Sequence, residues 1–222
     1  MVLKRAIAEG IGTFLLVFAG TGAILLLEGG EISWLTDVGI GLAFGVTVSL
    51  VILAIGNYSG AHINPAVTLG LWCDKQISFT HVFPYILSQC LGAIAASYTL
   101  TLLVRDHPTY GGTVSHLETW QLFAIEFCIT AILMFVILRV TKLNGILIPA
   151  LAIGGTVAIH ASAIGPFTGA SMNPARTLGP ALVSGQSDQL GIYVCATILG
   201  SLFAAWLNRT LFKSETENSE AG

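Results

Sequence analysis

Long runs of apolar residues, separated by short polar connections, occupy most of the 222-residue chain. Four of these runs carry no charged residue: 10–27, 38–61, 76–104 and 143–175. Two further segments have the same character, about 119–138, which is interrupted by Glu126, and 189–208. Each segment can provide the roughly 20 mainly apolar residues that a helix needs to cross the hydrocarbon core of a bilayer. The pattern therefore predicts six transmembrane helices.

Composition supports a membrane protein and excludes several other classes. The chain is 54% hydrophobic and 9% charged, against roughly 25% charged residues in a soluble domain. There is no basic stripe that would favour nucleic acid, and we expect no cofactor. The cysteines lie in or beside the apolar segments without a CxxC spacing, which favours packing roles over a disulfide or a metal site. They are Cys73, Cys90, Cys128 and Cys195.

The distribution of cationic residues predicts the orientation of the chain. With the N-terminus inside, only Arg105 falls in an outer connection, and Arg176 lies within an apolar segment. The other seven fall on the cytoplasmic side: Lys4, Arg5, Lys75, Arg139, Lys142, Arg209 and Lys213. An excess of Lys and Arg marks cytoplasmic loops. We therefore expect both termini in the cytoplasm, in the plasma or inner membrane, with residues 213–222 as a disordered tail.

An internal repeat covers most of the sequence. Shifted by 109 residues, 42–70 lies over 151–179 with 16 of 29 positions identical. Upstream, Glu9 aligns with Glu126 at a shift of 117. We interpret the chain as a single domain, 1–222, built from repeats at about 1–110 and 111–212. Because each half holds three spans, the second half must enter the membrane from the opposite face, which makes the repeat inverted.

The most similar parts of the two repeats are "SGAHINPAVTLG" at 59–70 and "TGASMNPARTLG" at 168–179. Asparagine is a preferred N-cap and proline is favoured at the first helical position. Asn64 and Asn173 are thus predicted to cap helices that begin at Pro65 and Pro174. In each box an alanine follows the proline, Ala66 in the first and Ala175 in the second.

The first of these helices has room only as far as about Cys73, before Asp74 and Lys75. Nine residues rise about 13.5 Å, close to half of a roughly 30 Å hydrocarbon core. Such half-helices are re-entrant, and inversion brings their N-termini together near the midplane. Both positive dipole ends then face one point. We expect the side-chain NH₂ groups of Asn64 and Asn173 to face the lumen there.

Arg176 breaks the likeness of the two repeats, since the first repeat has Val67 at this position. An arginine at membrane depth costs about 2.5–3.5 kcal/mol on the translocon scale, so its side chain should reach water or a partner. It can face the lumen or bind loop carbonyls, and its five donors allow both.

Together these residues resemble the aquaporin, or major intrinsic protein, family over almost the whole chain. The resemblance rests on the two Asn-Pro-Ala boxes, the arginine after the second, "AEGIGTFLLVFAGTGA" at 8–23, and Glu9 with Glu126. It implies an all-α membrane protein with six transmembrane helices and two re-entrant half-helices. It also implies a homotetramer in the lipid bilayer, with a pore in each subunit for water and small neutral solutes but not protons or ions. Parts of the sequence are similar to plant nodulin-like and vacuolar-type members and to bacterial relatives.

The family's outer selectivity filter can be carried over by distance from the boxes. It falls on Phe44, Ala161, Ala170 and Arg176. Strict water channels of the family usually hold histidine at the position of Ala161, whereas here the histidine, His160, stands one residue earlier. His160 either lines a widened filter or packs on a neighbouring helix. Two alanines imply a wide filter that admits glycerol, urea or trihydroxy-metalloid molecules as well as water.

The sequence leaves alternatives open for the intramembrane glutamates and for the type of transport. Glu9 and Glu126 are either proton-relay carboxylates or, as the resemblance implies, supports for the broken loops, and His62 is expected to be a scaffold donor. The channel is either a water channel or a facilitator for glycerol, urea or metalloids with water secondary. An ion-coupled secondary transporter also has inverted repeats and broken helices. No nucleophile–base set or metal spacing suggests an enzyme.

Overall fold

The computed structural model describes residues 1–27, 33–104 and 107–212, and these ranges form eight α-helices without a strand. Arg105, Lys213 and the expected tail at 213–222 lie outside the described residues. The helices are α1 Val2–Leu27, α2 Ser33–Ser59, α3 Pro65–Cys73, α4 Phe79–Leu103, α5 Thr119–Val140, α6 Leu147–Thr168, α7 Pro174–Ser184 and α8 Leu190–Phe212.

Six of the helices have 22 to 27 residues and are apolar enough to cross a membrane. At 1.5 Å per residue even the shortest of them rises about 33 Å, more than the hydrocarbon core requires. The remaining two, α3 and α7, have 9 and 11 residues and cover about half of that depth. The predicted fold class, six spanning helices with two re-entrant half-helices, is confirmed.

Both half-helices start where the capping argument places them. Asn64 and Asn173 have extended backbone, with φ of −160° and −152°, and their side-chain oxygens accept hydrogen bonds from the first turn. Proline follows at the first position of each helix. The half-helix α3 ends at Cys73, as predicted. The half-helix α7 ends at Ser184 and is capped by Gly185, which adopts a left-handed φ of 77°.

Helix packing repeats from one half of the molecule to the other. The first helix, α1, packs on α2 and α4, and α5 correspondingly packs on α6 and α8. Each half-helix contacts the last spanning helix of both halves. At the centre α2 crosses α6, where a Cβ on Gly45 would overlap the carbonyl oxygen of Gly154, and the reverse. These two glycines are equivalent at the shift of 109, so the inverted repeat has its pseudo-two-fold axis at their contact.

Candidate functional site

The loops that precede the half-helices have an unusual backbone. Positive φ angles occur at Ala61, Ile63, Ala170 and Met172, with values of 47°, 45°, 41° and 51°. The left-handed conformation costs a residue with a Cβ roughly 1–2 kcal/mol. Because each loop carries two such residues at equivalent positions, the surrounding structure must hold it in place.

Glu9 of α1 holds the first loop. Its Oε1 accepts hydrogen bonds from the Ser59 hydroxyl at 2.7 Å and from the His62 N–H at 3.0 Å. Its Oε2 accepts from the Ile63 N–H at 2.6 Å and from the Gln89 side-chain amide at 3.0 Å. The carboxylate is fully buried, and four donors occupy it. This is the arrangement expected of a loop support.

Glu126 of α5 holds the second loop in the same way. It accepts hydrogen bonds from the Thr168 hydroxyl at 2.7 Å, the Ser171 N–H at 2.9 Å and the Met172 N–H at 3.0 Å. These donors are the repeat equivalents of those on Glu9. None of the carboxylates in the described ranges lines the central cavity defined below, so the geometry offers no carboxylate there for ion coupling.

Two tyrosines complete the support of the loops. The Tyr85 hydroxyl donates to the Ser59 carbonyl at 2.7 Å, and the Tyr193 hydroxyl donates to the Thr168 carbonyl at 2.6 Å. The roles of Tyr85 and of Gln89 were missed in the sequence. A comparison of α4 with α8 at a shift of 108 would have paired the two tyrosines.

His62 is held inside the first repeat. Its Nδ1 lies 3.2 Å from the Thr68 hydroxyl, and its ring stands edge-on to Tyr85 with centroids 5.1 Å apart. The ring therefore braces the loop against α3 and α4, while the residue also contributes to the wall of the central cavity.

Backbone carbonyl groups of both loops are left without a donor from the described residues. Glu9 and Glu126 each bind two N–H groups of their loop, and the N–H groups of Ala61 and Ala170 donate to the Ser59 and Thr168 hydroxyls. The carbonyls of 60–62 and 169–171 remain. Within the described ranges no donor binds these oxygens. All of these residues except Gly169 line the central cavity, and a backbone carbonyl has two lone pairs for a passing donor.

The two asparagines tie the half-helices to each other. The Asn64 Nδ2 donates to the Met172 carbonyl at 2.7 Å, and the Asn173 Nδ2 donates to the Ile63 carbonyl at 2.9 Å. One hydrogen of each NH₂ is thus bound across the repeat, a contact that the sequence did not predict. An NH₂ group has a second hydrogen, and both asparagines line the central cavity.

Two cavities adjoin each other in this structure. The central cavity, of about 80 Å³, is enclosed by both loops and by apolar side chains of α1, α2, α5 and α6. The mouth cavity, of about 340 Å³, lies between α2, α6 and the segment 109–114. Three residues line both cavities: Phe44, Ala161 and Arg176. They mark the junction, and Ala170 lines the central cavity beside them.

Arg176 is fixed at this junction. Its side chain is 2% exposed, and its Nη1 donates to the Gly111 carbonyl at 2.9 Å. Its Cζ lies 5.1 Å from the centroid of the Phe44 ring. Both roles considered for it in the sequence, carbonyl binding and a position at the lumen, are therefore compatible with the geometry.

His160 does not join this group. It lines neither the central nor the mouth cavity, and its Nδ1 lies 3.2 Å from the Met172 sulfur. The side chain therefore packs behind the second loop. Among the described residues no group of three or more His, Cys, Asp or Glu could hold a metal ion.

Comparison with known proteins identifies the family. Residues 1–208 match the sequence profile of the family described as Major intrinsic protein. Nodulin-26 of Glycine max is 38% identical over 208 residues, which cover 92% of this chain and 76% of that protein. Aquaporin NIP1-1 of Zea mays is 38% identical over 207 residues, covering 92% and 73%.

A solved structure has the same fold. The aquaglyceroporin from Plasmodium falciparum superposes with a TM-score of 0.87, covering 96% of this chain and 98% of that chain at 24% sequence identity. The family match, the six spanning helices and the pair of capped half-helices agree with one another. The chain therefore belongs to the major intrinsic protein family and is an integral membrane channel for water and small neutral solutes.

Proposed function

We propose that molecules pass from the mouth cavity into the central cavity through a filter formed by Phe44, Ala161, Ala170 and Arg176. The observation that carries this proposal is that three of these residues line both cavities at their junction. A molecule that moves between the cavities must contact them. Beyond the filter it meets the carbonyls of both loops and then Asn64 and Asn173.

The chemistry of this path favours neutral molecules with small polar groups. The two loops offer carbonyl acceptors, Arg176 and the two asparagines offer donors, and most of the other lining side chains are apolar. A cation entering the path would meet the buried guanidinium and the N-termini of two half-helices, each worth about half a positive charge. The two alanines leave room that larger side chains would fill. We therefore propose glycerol, urea or a trihydroxy metalloid as substrates together with water.

Several features of the assembly belong to the same proposal. We place both termini in the cytoplasm, in a plasma or inner membrane, because the cationic residues are concentrated on that side. We propose a homotetramer with one pore in each subunit, a single domain over 1–222, and no catalytic activity.

The test is stopped-flow light scattering on proteoliposomes with water, glycerol, urea and a neutral metalloid. The Ala161→His variant should lower glycerol flux about tenfold, because the imidazole ring would fill space that glycerol needs in a confined site. Water is smaller, and its flux should change less than about twofold. Ala161→Ser is the matched control and should have a much smaller effect. Equal glycerol flux in wild type and Ala161→His would overturn the filter assignment. The wild-type ratio of glycerol to water flux separates a solute facilitator from a water channel.

A further inference from the structure

The ring of Phe44 rests against the backbone of α1 at Gly20. A Cβ on Gly20 would overlap Cδ1, Cε1 and Cζ of Phe44. Gly20 itself lines neither the central nor the mouth cavity. We propose that Gly20 is a positioning residue that sets the width of the filter by giving the Phe44 ring room to lie back from the path. This inference rests on the filter assignment proposed above.

An added methyl group at Gly20 would meet the edge of the ring and push it away from α1. The ring also lies beside the Arg176 guanidinium, whose Cζ is 5.1 Å from the ring centroid. This is the junction of the two cavities. Because Phe44 lines both cavities and Gly20 lines neither, a ring pushed away from α1 would move into the path.

The helix α1 cannot easily withdraw to make room. One turn before Gly20 it packs on α4 through Val17, Ala93 and Ala96, all of which are fully buried. Farther along the same contact, a Cβ on Gly92 would overlap the carbonyl oxygen of Gly10. Close-packed interiors of this kind transmit a volume change rather than absorb it. The Phe44 side chain is thus the part that would move.

The same turn of α1 also supports the arginine side of the filter. Gly111 has a φ of 70°, and a Cβ there would lie 2.7 Å from both Cβ and the carbonyl oxygen of Thr21. The Gly111 carbonyl accepts the hydrogen bond from Arg176. Thr21 is fully buried, and its hydroxyl donates to the Val17 carbonyl at 2.7 Å. Two consecutive residues of α1 therefore touch the filter: Gly20 contacts the Phe44 ring, and Thr21 contacts Gly111, whose carbonyl binds Arg176.

The second repeat shows that glycine is not a general requirement at this position. The shift of 117 that aligns Glu9 with Glu126 places Ile137 at the position of Gly20. The equivalent of Phe44, at a shift of 109, is Ile153. Both isoleucines line the central cavity. The repeat with the aromatic ring has glycine at this position, and the repeat without the ring has isoleucine. This is expected if Gly20 accommodates the Phe44 ring.

The experiment compares Gly20→Ala with wild type in proteoliposomes. We expect the ratio of glycerol to water permeability to fall about tenfold, the lower end of what one methylene is worth in a confined apolar site. Gly22→Ala is the matched control on the same helix. Its added Cβ would meet only Leu100 Cδ2 at 3.5 Å, an ordinary contact, and the ratio should stay as in wild type. Both substitutions raise helix propensity equally.

A second variant separates positioning from damage to the fold. Gly20→Ala combined with Phe44→Leu removes the ring atoms that the methyl group would meet, so glycerol flux should recover relative to Gly20→Ala alone. A purely structural effect would lower water and glycerol flux together and would not be relieved by Phe44→Leu, and that result would overturn the inference. If Ala161→His changes the ratio of glycerol to water flux but Gly20→Ala does not, the proposed role of Gly20 is wrong and the filter assignment stands. If neither does, the filter assignment fails.

Discussion

Arg176 is held between a ring and a carbonyl. Its Cζ lies 5.1 Å from the centroid of the Phe44 ring, and its Nη1 donates to the Gly111 carbonyl at 2.9 Å. A guanidinium within about 6 Å of an aromatic centroid gains cation–π attraction. These contacts keep a positive charge at the junction of two cavities, while the first repeat has the apolar Val67 at the equivalent position. The electrostatic barrier is thus expected on one side of the pore.

Removal of this charge should make the pore leaky to cations. We expect Arg176→Val to raise proton or sodium leak at least roughly tenfold, because a unit charge a few ångströms away contributes a barrier of kcal/mol size at an effective dielectric constant near 20. The measurement is a pH- or sodium-sensitive dye trapped in proteoliposomes. Water permeability measured on the same vesicles shows that the pore is intact. An ion-tight variant would mean that the arginine is only structural.

Neutralising Glu126 should damage the second loop rather than change ion selectivity. In Glu126→Gln the side-chain NH₂ would face the N–H group of Ser171 or Met172, which leaves a buried donor unpaired at a cost of about 1–3 kcal/mol. For a chain of this size that lowers the unfolding midpoint by roughly 5 °C. The measurement is thermal unfolding in detergent, together with fluxes of water and glycerol, which should fall in the same proportion.

The matched control is Asp188→Asn, which removes an exposed carboxylate and should leave both properties unchanged. A proton relay would give a different result. Glu126→Gln would then keep its unfolding midpoint while the flux changed its dependence on pH, and that combination would rule out the supporting role.

The fold could be predicted from the sequence because its main signals are local and repeated. Uncharged runs of about 20 residues admit little besides a spanning helix, and Asn-Pro fixes a helix start through capping and a preset φ. The end of α3 at Cys73 followed from the adjacent charges. The repeat then supplied the inverted topology, since three spans per half leave no other arrangement.

The contacts within the site could be predicted only in part. The cross-repeat hydrogen bonds of Asn64 and Asn173 join residues 108 and 110 positions apart, and no local pattern encodes such a pairing. The same holds for Gly20, which a sequence reading assigns to helix packing because the ring it accommodates belongs to another helix. For His160 the sequence left open a place in the filter or packing on a neighbouring helix. In the structure it lines neither cavity and contacts Met172 of the second loop.

Ala170 offers a direct test of access to the path. It lines the central cavity next to the junction, whereas none of the native cysteines lines either cavity. Wild-type water flux should therefore resist p-chloromercuribenzenesulfonate. Ala170→Cys should lose most of its water flux on treatment, because a bulky group bonded there would occupy a narrow path, and a reducing thiol should restore it.

The matched control is Ser187→Cys, which places a thiol at an exposed position between α7 and α8, away from both cavities. It should react with the mercurial and keep its flux, which separates modification from blockage. Rapid inhibition of the wild type would show that a native cysteine lies close to the path. Full modification of Ala170→Cys without loss of flux, as measured by mass spectrometry on the same sample, would move the path away from Ala170 and with it the proposed filter.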